Sequence, residues 1–476
     1  MENVEILAPK ADSIISSLRS IGYSFETAIA DLIDNAISAG ATIVDINSPF
    51  DGENTILSIF DDGLGMDDSE LHSAMRLGSS DPVIDRKSSD LGRFGLGLKT
   101  ASFSQCRKFS VLSKKNGKIS SRTWDLDLIK KTGDWTIIKD IDNKFLHFFD
   151  NVDHGTVVVW QKMDRVISNK DKNALNHFNH KKKIVKDHLS LTFHRFLEKK
   201  TLKIVMGGNE IKPWNPFLPD FNFLYMKREA PISLLKGKIT MQGFVMPHKS
   251  YFDSETAYKE AALNRTWTTM QGFYVYRADR LLVAGDWLGL KKPSRYYDLA
   301  RIKVDISNEY DFDWDIDVKK SKATPPDYLR QYLKDLADST CKSAYETYSY
   351  RGDESVKMKI AGKSYIGVWN ILSKRDGSII FNINLDHPYI NYCLNEFSDK
   401  SELFKSFLKF LAATIPYEQI QFMIQENENS HVVNELIEDG TDLFDTDIVK
   451  QIVAAYISKG YSEEQAKTQV KLIMNF

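Results

Sequence analysis

The sequence predicts an α+β protein, on three observations. A chain of 476 residues, 42% of them hydrophobic, is too long for one ordinary domain and apolar enough to build about two or three cores. Over roughly the first 160 residues, helical periodicity alternates with strand patterns. From about residue 165 a lysine-rich helix is followed by several strands, which points to α+β rather than to a repeating βα barrel. The divisions expected are 1–164, 165–345 and 346–476.

In SFETAIADLIDNAISAG, residues Ala28, Ile29, Leu32, Ile33, Ala36 and Ile37 recur at three- and four-residue spacing. A helix is expected there, with Ser24 as its N-cap and Gly40 as its stop. ATIVDINS and TILSIF are strand-like, and DDGLGMDD after Phe60 is a turn. Ser69 to Gly92 is polar, rich in Ser and Asp, and expected to be mobile. A helix is expected from about Leu98, then strands at FSVLSKK and GTVVVWQKM. In the second stretch KITMQGFVM, GFYVYRADRLLV, LARIKVDIS and FDWDIDVKK read as strands. PPDYLRQYLKDLADSTCKSAYETYSYRG reads as a long exit helix, its prolines suited to a first turn. The last stretch opens on a strand pair, YIGVWNIL and SIIFNINL, and continues in helices with an acidic linker, QENENSH.

Composition excludes several classes. No apolar run approaches the roughly 18 residues that span a bilayer, and MENVEILAPKADS lacks the basic and apolar regions of a signal peptide. A cytoplasmic location is therefore expected, with no membrane partner. Cys106, Cys341 and Cys393 are odd in number and far apart, which fits reduced structural thiols better than a disulfide frame or a zinc site. A net charge of −2 carries no general basic excess for nucleic acid. The local exception is NHKKKIVKDH, where Lys181, Lys182, Lys183 and Lys186 read as a solvated helix face.

Three motifs carry chemistry. Asp31 and Asn35 lie four apart on the predicted helix, so a carboxylate and a carboxamide share one side of it beside its apolar stripe. Asp34 points elsewhere and reads as a structural hydrogen-bond partner. Asp61 ends a strand, and Gly63 and Gly65 after it permit positive φ and close backbone approach to a flat ligand. GRFGLGLKTAS resembles a phosphate loop but fails two templates. In a Walker loop the lysine directly follows the last glycine, and here Leu98 intervenes. A dinucleotide fingerprint needs a preceding strand and a third glycine, and both are missing. What remains is a glycine hinge feeding a helix N-terminus, whose free N–H groups favour an anion.

Taken in order, the Asp-x-x-x-Asn helix, the DxGxG turn, the G-x-x-G-x-G loop and the Gly155-Thr156 strand resemble the GHKL ATPases. These include gyrase B, the heat-shock chaperones of the ninety-kilodalton class, MutL and the MORC proteins. AIADLIDNAISAGA, DDGLGMD and GRFGLGLKTAS read most like the MORC branch and its bacterial relatives, and GFYVYRADRLL resembles their transducer domain. The resemblance does not extend comparably to the last third of the chain. It implies a Bergerat-type α/β sandwich that takes ATP and Mg²⁺, followed by a transducer-like α+β domain and a mainly helical C-terminal region. Asp31 would orient or activate the attacking water, and Asn35 would hold the metal. Asp61 would accept from the adenine amino group with Thr156 in support. Gly63, Gly65, Met66, Gly92, Phe94, Gly95, Leu96 and Gly97 would form walls and lid. Lys99 and Thr100 would sit by the phosphates, although Lys99 equally fits a solvated side chain.

One departure stands out: the family generally has Glu where this chain has Asp31. The shorter side chain withdraws the carboxylate by roughly 1 to 1.5 Å, a misplacement that can cost about a hundredfold, so slow hydrolysis is expected unless the backbone compensates. Family transducers also return a lysine to the γ-phosphate. In DWDIDVKKSK, Trp314, Ile316 and Val318 share a strand face that Lys320 continues, favouring it over Lys319 and Lys322; a snorkelling side chain is the competing explanation. The implied function is an ATP-driven switch that dimerises on ATP binding. By resemblance it would act on double-stranded DNA, in a restriction or phage-defence setting, with a partner nuclease or helicase. A non-hydrolysing ATP-binding scaffold, a chaperone-like ATPase and a histidine-kinase-type protein kinase are the alternatives.

Overall fold

A computed structural model describes residues 10–20, 22–78, 97–168, 171–219, 230–234, 237–307, 310, 313–314, 323–349, 357–360, 363–366, 368–373, 379–396, 404–405, 408 and 447–473. The chain separates into two compact units, Met1–Tyr345 and Glu346–Phe476. It is α+β throughout.

The first unit opens with α1 (Ala11–Arg19) and α2 (Phe25–Ser38). Helix α2 starts where expected: the Ser24 hydroxyl accepts from the Thr27 N–H at 3.4 Å, a cap of a kind that contributes about 1 kcal/mol. Gly40 follows its end at φ +76°, a conformation glycine takes without a Cβ penalty. Ala28, Ile29, Ile33 and Ala36 bury its apolar stripe against the sheet. That sheet begins with β1 (Ile43–Asn47) and β2 (Leu57–Asp61), whose last residue is Asp61 itself.

Next comes α3 (Asp68–Met75), inside the stretch expected to be mobile. Its start is a capping box, in which Asp67 Oδ1 accepts from the Glu70 N–H and Glu70 Oε2 accepts from the Asp67 N–H, each at 2.8 Å. Polar composition hid a helix whose polar residues are its cap; residues 79–92 of that stretch lie outside the described residues. There follow α4 (Gly97–Gln105), β3 (Lys108–Lys115), β4 (Lys118–Asp125), α5 (Leu126–Thr132), β5 (Gly155–Gln161), α6 (Ala174–Thr192), α7 (His194–Glu198), β6 (Lys203–Met206) and β7 (Asn209–Glu210).

Among the described residues the first sheet runs β4-β3-β5-β2-β1-β6-β7. Its pairs are antiparallel except β1 with β6, so its last two strands come from beyond residue 165. Strand β5 reads as an unbroken apolar run because both its faces are covered. Val158 and Trp160 enter the core under α2, whereas Val157 and Val159 pack with Phe145 and Phe149 on the other side.

The second sheet is built from β8 (Ala230–Leu234) and β9 (Gly237–Val245), then, after α8 (Glu255–Glu260), from β10 (Gly272–Arg277), β11 (Arg280–Asp286) and β12 (Ala300–Ile306). Its order is β11-β10-β12-β9-β8. GFYVYRADRLLV, expected as one strand, is a hairpin. Ala278 and Asp279 at its tip have φ of 45° and 67°, the left-handed pair of a tight two-residue turn, which a sequence without Asn-Gly or Asp-Gly does not advertise. Of the strand expected at FDWDIDVKK, Trp314 is buried in this core; Lys319, Lys320 and Lys322 lie outside the described residues. The exit helix is α9 (Asp327–Ser349), directly after Pro325-Pro326.

In the second unit β13 (Lys357–Ile360) pairs with β14 (Lys363–Ile366), and β15 (Trp369–Ser373) with β16 (Ile379–Ile383). The stretch YIGVWNIL is thus shared between two hairpins. Helices α10 (Pro388–Glu396), α11 (Asp447–Ser458) and α12 (Glu463–Ile473) follow, and the QENENSH linker lies outside the described residues. Among the described residues no helix is long and apolar enough to cross a membrane.

Candidate nucleotide site

Asp31 sits on the buried side of α2, 3% exposed. Its Oδ2 accepts a 2.7 Å hydrogen bond from the Tyr23 hydroxyl, and Tyr23 is itself buried just ahead of the Ser24 cap. Gly97 opens α4 against the same oxygen: a Cβ on Gly97 would lie 3.4 Å from Asp31 Oδ2. The start of a helix, where N–H groups lack helical partners, is therefore beside a fixed carboxylate. One turn on, Asn35 is exposed, and its side chain makes no hydrogen bond to a described residue. The α2 end also holds the glycine turn, because the Leu64 N–H donates to the Ala39 carbonyl at 3.0 Å.

Asp61 is the second fixed carboxylate. Its Oδ1 accepts from the Gly63 N–H at 3.0 Å, and in the β2–β5 pairing it stands opposite Thr156. Burial pushes its carboxyl up to about 7; the neighbouring Asp62 adds to the rise, while backbone hydrogen bonds from Gly63 and Thr156 oppose it. Asp62 itself is held below the usual carboxylate range by Thr42 and Ile43 despite partial burial, and serves to clamp the start of β1.

Gly63 and Gly65 are required by protein neighbours. A Cβ on Gly63 would come within 2.8 Å of Asp61 Oδ1, and one on Gly65, at φ +66°, within 2.0 Å of the Lys114 carbonyl. The space that the missing side chains leave is taken by the Asp61 carboxylate and the β3 backbone. Behind the turn, Ser113 joins the parts. Its hydroxyl accepts from the Met66 N–H at 2.8 Å, lies 2.8 Å from Thr156 Oγ1 and donates to the Gly155 carbonyl at 3.1 Å. His154 Nδ1, as donor, fixes the Gly63 carbonyl at 2.7 Å.

Comparison with known proteins bears on this arrangement. Residues 23–156 match the family described as Histidine kinase-, DNA gyrase B-, and HSP90-like ATPase. The chain is 36% identical over 95 residues to ATPase morc-1 of Caenorhabditis elegans, 35% over 91 residues to ATPase MORC2 of Homo sapiens, and 33% over 90 residues to the DNA mismatch repair protein MutL of Rickettsia akari (strain Hartford). Residues 23–156 are a GHKL ATPase domain of MORC-like type. The matches cover 20%, 18% and 19% of this chain, and span only 11%, 9% and 15% of the length of those relatives.

Within the GHKL domain the structure brings together Asp31 with Gly97, and Asp61 with Gly63, Met66 and Thr156. Gly92, Phe94, Gly95 and Leu96, like Lys320, lie outside the described residues. Lys99 and Thr100 are both held by protein groups. The Lys99 ammonium is buried and donates to the carbonyls of Ala74 and Arg76, both at 2.9 Å, at the C-terminal end of α3. It is not a solvated side chain, because a helix end with unpaired carbonyls is itself a cation site. Burial lowers its ammonium to about 8. The Thr100 side chain is fully buried, with its hydroxyl 3.4 Å from the Gly97 carbonyl.

Sequence reasoning missed Tyr23, Ser113 and Arg280. Arg280, at the start of β11, reaches α2 and pairs with Asp34 at 3.2 Å, both side chains being almost fully buried. Asp34 is thus a structural partner, as expected, and its partner comes from the second sheet. Arg280→Ala removes a nearly fully buried cation from the side of that buried carboxylate, so a loss of about 3 to 5 kcal/mol is expected in urea unfolding. A loss below about 1 kcal/mol would contradict the ion pair.

Proposed function

We propose that the chain is an Mg-ATP-dependent conformational switch that pairs with a second copy on ATP binding and hydrolyses ATP slowly. The observation that carries this reading is the convergence of a buried, hydrogen-bonded Asp31 with the N-terminus of α4 at Gly97. Phosphate oxygens are stabilised by free N–H groups at a helix start, and a carboxylate beside them is positioned to take a proton from water. Asp61 accepts a hydrogen bond from the adenine amino group, supported through Thr156 and Ser113. The exposed carboxamide of Asn35 offers an oxygen of the kind hard cations take, which fits Mg²⁺. Bound there, Mg²⁺ would offset phosphate charge. Lys320 is proposed to reach the γ-phosphate from the second sheet's domain.

Dimerisation and an effect on DNA rest on resemblance. The matched relatives are named as MORC ATPases and as a DNA mismatch repair protein, which supports double-stranded DNA as the object and a nuclease or helicase as a partner. The restriction or phage-defence setting belongs to the same proposal, as do a cytoplasmic site of action and the division into ATP-binding, transducer-like and C-terminal domains. A second reading, an ATP-binding scaffold without turnover, is favoured by one feature: Asp31 is a methylene shorter than the family's Glu and is tied back by Tyr23.

Phosphate release from Mg-ATP, with and without double-stranded DNA, tests the choice. The switch predicts slow turnover that rises with DNA and falls at least about a hundredfold in Asn35→Ala, the scale of a lost catalytic group. Tight binding without release would favour the scaffold.

A further inference from the structure

A cavity of about 1290 Å³ lies at the far end of β1 from the nucleotide site. In the β1–β2 pairing Asp61 stands opposite Val44, whereas the cavity takes Ile46 and Asn47 together with α6, the β6–β7 hairpin and the segment after it. Its lining includes Lys182, Lys183, Lys186 and Lys212, the last three exposed, and its less exposed lining includes Ile46, Met206, Trp214 and Leu263. The lysine run that reads from sequence as a solvated face thus lines one wall of a groove with an apolar, partly aromatic interior.

These lysines are not neutralised at close range. Among the described residues none of the four lies within 4.0 Å of a carboxylate oxygen, although the Lys182 ammonium stands 5.3 Å above the Phe178 ring. The opposing charges are Glu210, which also lines the cavity but faces Lys203 at 3.4 Å, and Asp187, half-buried within the field of Lys183 and Lys186. On a chain of net charge −2 this is a local concentration of positive charge. The volume also exceeds the roughly 300 to 1,000 Å³ of ordinary small-ligand pockets, which suits an extended ligand.

Two nucleic-acid forms meet such a groove differently. A duplex keeps its base faces stacked inside and presents phosphates on a convex surface, so it engages exposed lysines and leaves the apolar interior wet. An unpaired strand offers both phosphates and apolar base faces, and lysines beside an aromatic interior match that pair of features. We propose that this groove binds single-stranded nucleic acid, with phosphates along Lys183, Lys186 and Lys212 and bases against Trp214 and Leu263. The inference goes beyond the ATP-driven switch, shares no residue with the nucleotide site and stands without it.

The test is fluorescence anisotropy of a labelled oligothymidylate on the full chain, in EDTA and without nucleotide, against a duplex of equal length and an abasic strand. The groove predicts that the strand binds at least about fivefold tighter than either competitor, since unpaired bases add stacking on an aromatic surface to the phosphate contacts. Affinity should fall as salt rises, and the pair Lys183→Glu with Lys186→Glu, both on the exposed face of α6, should weaken binding at least about tenfold with an unchanged melting temperature. Equal binding of duplex or abasic strand would overturn the proposal. So would a charge-reversed variant that binds like the parent. Because the assay contains no ATP, its outcome is independent of whether the GHKL site turns over.

Discussion

Asp31→Asn is expected to cut ATP turnover by about a hundredfold to ten-thousandfold, the usual range for a lost general base, while nucleotide affinity changes only a few-fold. The reasons are geometric. Asp31 Oδ2 is held at 2.7 Å by Tyr23 and lies beside the first residue of α4, which fixes the orientation of its carboxylate. An amide keeps that hydrogen bond and the packing but removes the basic oxygen. The measurement is steady-state phosphate release beside equilibrium nucleotide binding; an equal fall in both would assign Asp31 to binding. Asp31→Glu adds the missing methylene and returns the residue to the family's usual side chain. Raised turnover is the expected result, because the added reach of roughly 1 to 1.5 Å is on the scale at which placement decides rate.

Asp61→Asn is expected to lower ATP affinity by at least about a hundredfold. The amide would set a donor against the adenine amino group, and a buried donor facing a donor is costlier than a lost bond, since neither is satisfied. The fold should survive, because an amide oxygen still accepts the Gly63 N–H. Protonation gives the same site a pH signature. With its carboxyl raised from 3.8 to about 7, ligand-free Asp61 is largely protonated at pH 6 and ionised at pH 8. A ligand that needs the carboxylate must displace that proton below about pH 7, so adenosine, whose binding involves no titrating phosphate, should bind up to about tenfold more weakly at pH 6 than at pH 8. Stability moves in a related sense. Between about pH 4 and 7 the unfolded chain has released a proton that the folded site retains, so this group's contribution to stability declines as pH rises through that window.

Local signals in the sequence were enough for part of the site. Helix α2 announces itself through its period, its Ser24 cap and its glycine stop, and the same pattern locates Asp31 and Asn35. Asp61 was legible because an apolar strand ended there on a carboxylate followed by glycines. Other parts depend on contacts across long stretches of chain. Ser113 matters only because β3 lies beside β5 in a register that sets it against Thr156, and a serine within FSVLSKK carries no mark of that. Arg280 meets Asp34 through a hairpin whose turn residues are Ala and Asp, outside the usual turn code. Lys99 is a related case. From sequence it follows a glycine hinge, whereas in space the nearest acceptors are the carbonyls that close α3.

We propose that residues 23–156 hold an adenine nucleotide with Asp61 reading the base. Calorimetric titration of the full chain with ATP and with GTP, in Mg²⁺, tests this. The expected result is a single ATP site per chain, GTP weaker by at least about a hundredfold because its base presents a carbonyl where adenine presents an amino group, and loss of the ATP signal in Asp61→Asn. Equal affinity for the two nucleotides, or no ATP binding at all, would contradict it.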